Sequence, residues 1–127
     1  MARRHVMAIT YEPKITAVQN GKCRQTIRTI RPINPGDVIT FHGWVGLPYR
    51  SKWSWRKEVT VSDVIPTEIT NDGMFIEGIL HTWTSWYPAR LAEYDHISPA
   101  TGEALRDVLF RLNGVPKEPV ECIIIRW

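Results

Sequence analysis

The sequence predicts an α+β domain in which five to seven short strands form a curved or closed sheet, with two or three helices over its openings. Three observations carry this. Short β-branched and aromatic runs alternate with Gly, Pro and Asn turn signals along most of the chain. Helical periodicity is confined to a few short stretches, and only one of them has a full apolar stripe. The chain has 127 residues, 43% hydrophobic and 23% charged, the size and composition of one domain over residues 1–127. Such a chain buries roughly two-thirds of its unfolded surface and needs no metal or disulfide staple.

Residues 5–10 are apolar enough for a first strand. Pro13 suits the first turn of a short helix over 14–20, with Ile15 and Val18 on its inner face and Asn20-Gly21 at its end. Residues 26–30 read as extended, Asn34-Pro35-Gly36-Asp37 as a turn, and 38–44 as a strand. The stretch 43–55, with three tryptophans, two glycines and a proline, reads as an aromatic loop. Residues 57–65 alternate as a strand that Pro66 ends, and Asn71-Asp72-Gly73 turns the chain back into a hairpin partner over 74–80. A helix is expected from near Pro88, with Leu91 and Tyr94 inward. The clearest helix follows: Thr101 caps it, Glu103 and Asp107 sit in its early turns, Leu105, Val108, Leu109 and Leu112 form its stripe, and Asn113-Gly114 stops it. Residues 120–127 are the last strand, apolar without alternation and so covered on both faces.

Charge narrows the function. The net charge is only +3, yet eleven basic residues face two acidic ones through Lys57, and five face eleven thereafter. Such asymmetry within one domain suggests a positive face for a polyanion, most often nucleic acid. Cys23 and Cys122 are far apart and lack zinc-ligand spacing, which excludes a zinc finger and favours a reducing, cytoplasmic compartment. His42 and His81 are expected as hydrogen-bonded strand residues, so neither metal nor cofactor is implied. The basic start is followed by an apolar run of only Val6 to Ile9, too short for a signal peptide, and no membrane partner is expected.

The chemistry concentrates in residues 21–31, where Lys22, Arg24, Arg28 and Arg31 surround Thr26. On an extended segment Arg24, Thr26 and Arg28 share one face, and two guanidiniums flanking a hydroxyl can receive a phosphate or a base edge. Arg28 can grip a phosphate through a bidentate pair or hold a neighbouring loop through backbone carbonyls. Trp53 and Trp55, among Arg50, Lys52, Arg56 and Lys57, have the mixture of aromatic and basic groups that holds single strands by stacking and phosphate neutralisation.

A glycine after a helix, a basic run, Thr26-Ile27-Arg28, then Pro32 and Gly36-Asp37 before the next strand resemble the ASCH domain of the PUA-like group of small β-barrels. Gly21 and Arg28 fit the ends of its GxKxxxxR signature, while Cys23 stands at the lysine position and Lys22 lies one residue early. The resemblance implies an RNA or modified-nucleoside ligand. In the ASCH enzymes that deacetylate N4-acetylcytidine, a lysine, a threonine and a downstream glutamate act together. Here the resemblance matches Thr26 to the threonine, offers Lys22 for the lysine, and places Glu93 or Asp95 near the acid. The leading expectation is binding of RNA or a modified nucleoside through Lys22, Arg24, Thr26, Arg28 and Arg31, with Arg50, Lys52, Trp53, Trp55 and Arg56 adding phosphate and stacking contacts. An amidohydrolase or ribonuclease using Lys22, Thr26 and Glu93 or Asp95 is the alternative. A module that covers an acidic protein is the third.

Overall fold

The computed structural model describes residues 2–44 and 52–127. Along them run β1 (Arg4–Ala8), α1 (Glu12–Gln19), β2 (Gln25–Thr29), β3 (Val38–Trp44), β4 (Trp53–Thr60), β5 (Asp63–Ile69), β6 (Gly73–Ile76), β7 (Ile79–Thr82), α2 (Trp86–Tyr94), α3 (Gly102–Asn113) and β8 (Val120–Arg126). The α+β class stands. The closed sheet does not: the strands form a three-stranded sheet, β1-β3-β4, and a five-stranded one, β2-β8-β5-β6-β7. β1 runs parallel to β3, and every pair in the larger sheet is antiparallel. β1 and β2 are both edge strands, and a side chain rather than a ladder spans the gap between them.

The larger sheet is central because β8 is apolar on both faces. Ile123 and Ile125 pack with Met7, Ile39, Phe41 and Val59 of the smaller sheet. Cys122 and Ile124 pack on the other side with Leu91, Leu105 and Leu109 of the helices. Thr26 lies opposite Ile125 and Arg28 opposite Ile123, so the period of two puts both on the face that meets the smaller sheet.

Eight strands are described where five to seven were expected, for local reasons. The aromatic segment after Gly43 contains β4, already paired with β3 at Trp53. The stretch 74–80 holds two strands, because Glu77 and Gly78 both have positive φ, 54° and 77°, the geometry of a two-residue hairpin turn. Pro66 lies inside β5 instead of ending it. β6 pairs with β5 only at Glu68 and Ile69, so Pro66 has one open edge, where a missing N–H is tolerated. Tyr94 and Leu112, expected inward, are 46% and 65% exposed.

Two features of this frame make testable statements. Thr101 caps α3, its Oγ1 accepting from Ala104 N at 3.1 Å, and Gly102 packs directly beneath the Trp83 carbonyl, where an added Cβ would overlap the oxygen. Gly102→Ala is expected to destabilise the protein by about 1–3 kcal/mol in urea unfolding. Asp37 ties the start of β3 to the chain's beginning: it accepts from Arg3 N and Asn34 N, both at 3.0 Å, and meets His5 Nε2 at 2.9 Å. The Arg3 amide first, then His5 and the Asn34 amide, hold its carboxyl down to about 2. An unfolded aspartate titrates near about 3.9, so this contribution is present above that pH and is lost as pH falls toward 2. Asp37→Asn is expected to flatten that part of the stability curve, measured by denaturant melts across the acid range.

Candidate functional site

The free edge of β2 carries the site. β2 pairs with β8 on one side only, which leaves outward backbone groups on the other. Arg28 crosses the gap to β1: its Nη2 donates to the Ala8 carbonyl at 2.8 Å, and its Nε donates to Thr26 Oγ1 at 3.2 Å. Burial first, and then the neighbouring Arg31, push this guanidinium below its ordinary value, while Asp95 acts in the opposite sense. A guanidinium starts high enough to stay charged regardless. Because Arg28 occupies an acceptor lone pair of Thr26, the hydroxyl proton is left to point elsewhere.

The lysine of the site comes from α1. This helix starts at Glu12, and its buried residues are Lys14, Ala17 and Val18, an i, i+3, i+4 stripe. Lys14 Nζ meets Asp95 Oδ2 at 3.0 Å, with the two side chains only 7% and 9% exposed. Asp95 is the residue just past α2, fixed there by its N–H on the Leu91 carbonyl at 2.9 Å. Its second oxygen, Oδ1, is buried with no hydrogen-bond partner among the described residues. A buried carboxylate oxygen without a donor is costly, which marks it as a group awaiting one.

Lys14, Asp95, Thr26 and Arg28 line one cavity of about 380 Å³, together with Arg31 and Arg111. That is within the usual range for small-molecule pockets. Four cations face one carboxylate, and the β2 edge, from Thr26 to Thr29, forms a wall. The arrangement can accept a hydrogen bond at Asp95, donate one from Thr26, and neutralise an anion at Arg31 or Arg111.

The sequence placed Thr26, Arg28, Arg31 and Asp95 in one site, and the structure brings them together. It does not bring Lys22, Arg24 or Glu93 to them. At the end of α1, Gly21 at φ 80° allows its N–H to reach the Val18 carbonyl and the Lys22 N–H to reach that of Ala17. This Schellman turn leaves Lys22 exposed, and β2 begins only at Gln25, so Arg24 lies before the strand. Lys22, Arg24 and Glu93 line a different cavity.

Lys52, Trp53, Trp55 and Arg56 lie in or next to β4 and line neither cavity. The Trp53 ring stacks on His42 at 4.0 Å, and the Arg56 guanidinium lies over it at 5.5 Å, so its stacking is already intramolecular. Arg50 falls outside the described residues. His42 lies in β3 as expected; burial pushes its imidazole down, while a hydrogen bond with the Gly43 backbone acts in the opposite sense. Cys23 is buried, its thiol donates to the Gln25 and Tyr94 carbonyls at 3.4 and 3.6 Å, and burial pushes it up, away from a reactive thiolate.

Lys14 is the residue that sequence reading missed. The signal available was its i, i+3, i+4 relation to Ala17 and Val18, which is weak because charged helix residues ordinarily face solvent. Among the described residues no helix is long and apolar enough to cross a membrane. Comparison with protein-family models, with curated proteins and with solved structures finds no match.

Proposed function

We propose that the protein is a PUA-like, ASCH-type domain that binds a nucleobase, free or within RNA, in the cavity between β1, the β2 edge, α1 and the end of α2. The single observation that carries this is the unpartnered Asp95 Oδ1 in a cationic cavity of about 380 Å³. A carboxylate so placed accepts an exocyclic amino or amide N–H, the pairing by which Asp reads cytosine. Thr26 donates to the adjoining ring acceptor, and Arg31 and Arg111 stand where a phosphate or ribose oxygen can be met. Lys14 supplies from α1 the amine that the ASCH resemblance expects at position 23. Lys14 and Cys23 are close enough for the lysine charge to act on the thiol.

Calorimetric titration with cytidine and uridine tests the reading. Cytidine is expected to bind more tightly, and Asp95→Asn, which replaces an acceptor by a mixed amide, to reduce the difference between the two. Equal affinities that the variant leaves unchanged would refute it.

The buried Lys14–Asp95 pair beside Thr26 favours a second reading, hydrolysis of an acyl group on the base amine. The Thr26 hydroxyl would attack the acyl carbon as Asp95 takes its proton, Lys14 would balance the oxyanion, and the C–N bond would break with that proton passed to the leaving amine; water would then hydrolyse the acyl-threonine ester and release acetate. Turnover of N4-acetylcytidine, abolished by Thr26→Val, is the outcome this reading requires.

A further inference from the structure

The second cavity, of about 540 Å³, lies where residues 22–25 run against residues 93–96. Its best-fixed group is Arg126. Arg126 Nε donates to Gln25 Oε1 at 3.1 Å, and its guanidinium lies over the Tyr94 ring at 5.5 Å. Gln25 is itself only 1% exposed and is anchored by donating from Nε2 to the Leu91 carbonyl at 3.2 Å. Asp63 is the direct cross-strand partner of Arg126, yet the two form no ion pair among the described residues. The guanidinium is therefore held over an aromatic ring by a buried amide, with no carboxylate within ion-pair distance among the described residues. Lys22 and Arg24 line the same cavity, are exposed, and likewise have no carboxylate within ion-pair distance among the described residues.

The two cavities are lined by neighbouring residues of the same two segments. Gln25 lines one and Thr26 the other, and Asp95 lies between Tyr94 and His96 in the same way. The dividing strap is closed by Cys23 Sγ on the Tyr94 carbonyl and by His96 Nε2 against the Lys22 carbonyl at 3.1 Å. Beyond this strap the second cavity offers the exposed Lys22 and Arg24, the Arg126 guanidinium over Tyr94, and the carboxylates of Asp63 and Glu93.

We infer that the second cavity holds the neighbouring nucleotide of a single RNA strand whose base enters the first, so the natural ligand is an oligonucleotide. Lys22 and Arg24 take the phosphate, and the base stacks on the Arg126–Tyr94 pair, as unstacked bases do on guanidinium and aromatic planes. Asp63 and Glu93 accept base N–H groups. Those two carboxylates favour a nucleotide over an acidic peptide, which would bring only like charge to them. The inference rests on the proposed function for the occupant of the first cavity.

The test compares a hexameric oligoribocytidine with cytidine, binding to the full chain at low and physiological salt. Lys22→Glu/Arg24→Glu changes exposed residues and is expected to leave the melting temperature unchanged. It should weaken the hexamer by about tenfold or more at low salt and flatten its salt dependence, with cytidine affinity unaltered. An unchanged hexamer affinity, or an undetectable one in the wild type, overturns the proposal. So does an equal loss from Lys52→Glu/Lys117→Glu, which would mean general electrostatics, or equally tight polyglutamate binding lost in the same variant. If cytidine fails to bind while the hexamer still depends on Lys22 and Arg24, the second site stands and the reading of the first cavity falls.

Discussion

Lys14→Met is expected to lower stability by about 3–5 kcal/mol, because it leaves the Asp95 carboxylate buried without its cation. Asp95→Leu should cost a similar amount by stranding the Lys14 ammonium. The pair itself is a poor source of stability: desolvating both charges offsets most of their attraction, and apolar replacements of both are often neutral or better. The double variant Lys14→Met/Asp95→Leu is therefore expected to recover most of either loss in denaturant melts. Nucleoside binding should not recover with it. That combination separates a pair held for a ligand from one held for the fold, and a double variant as unstable as the single ones would argue for the fold.

Arg28→Lys is expected to lower stability by about 1.5–3 kcal/mol, the range for a hydrogen bond to a charged group. The wild-type guanidinium binds the Ala8 carbonyl and the Thr26 hydroxyl through separate nitrogens. One ammonium cannot span both, so either β1 loses its tie to β2 or Thr26 loses the donor that orients it. Of the two roles open to Arg28 in the sequence, the clamp through a backbone carbonyl is the one its contacts support. Thermal melting of the variant checks this. Unchanged melting with weakened binding would return Arg28 to direct ligand contact.

How much of this was legible depended on whether the governing interactions were local. α3 was readable in full at its cap and its stop, since Thr101 and Gly114 act within one helical turn. β8 was readable because four consecutive buried residues, Cys122 to Ile125, admit no exposed face. The edge strands were less so: whether β1 and β2 close a barrel depends on pairing between distant segments, and no residue in either strand signals that a guanidinium spans the gap. The site was half legible. Thr26, Arg28 and Asp95 stood out by type and position, but Lys14 was hidden because burial of a lysine is decided by Asp95, eighty-one residues away in sequence. Lys22 was misplaced by a helix-end turn whose effect on direction exceeds what strand alternation describes. Trp53 and Trp55 were expected to stack on a ligand, yet aromatic composition does not reveal that His42 already occupies the Trp53 ring.

The central claim is a location: that the β2 edge with Lys14 and Asp95 is where a base binds. Mapping backbone amide shifts by nuclear magnetic resonance during titration with cytidine tests it most directly. The expected perturbations fall on residues 8–11 and 26–29 and on Asp95. Shifts confined to Trp53, Trp55 and Arg56, or no shifts at saturating cytidine, would contradict it.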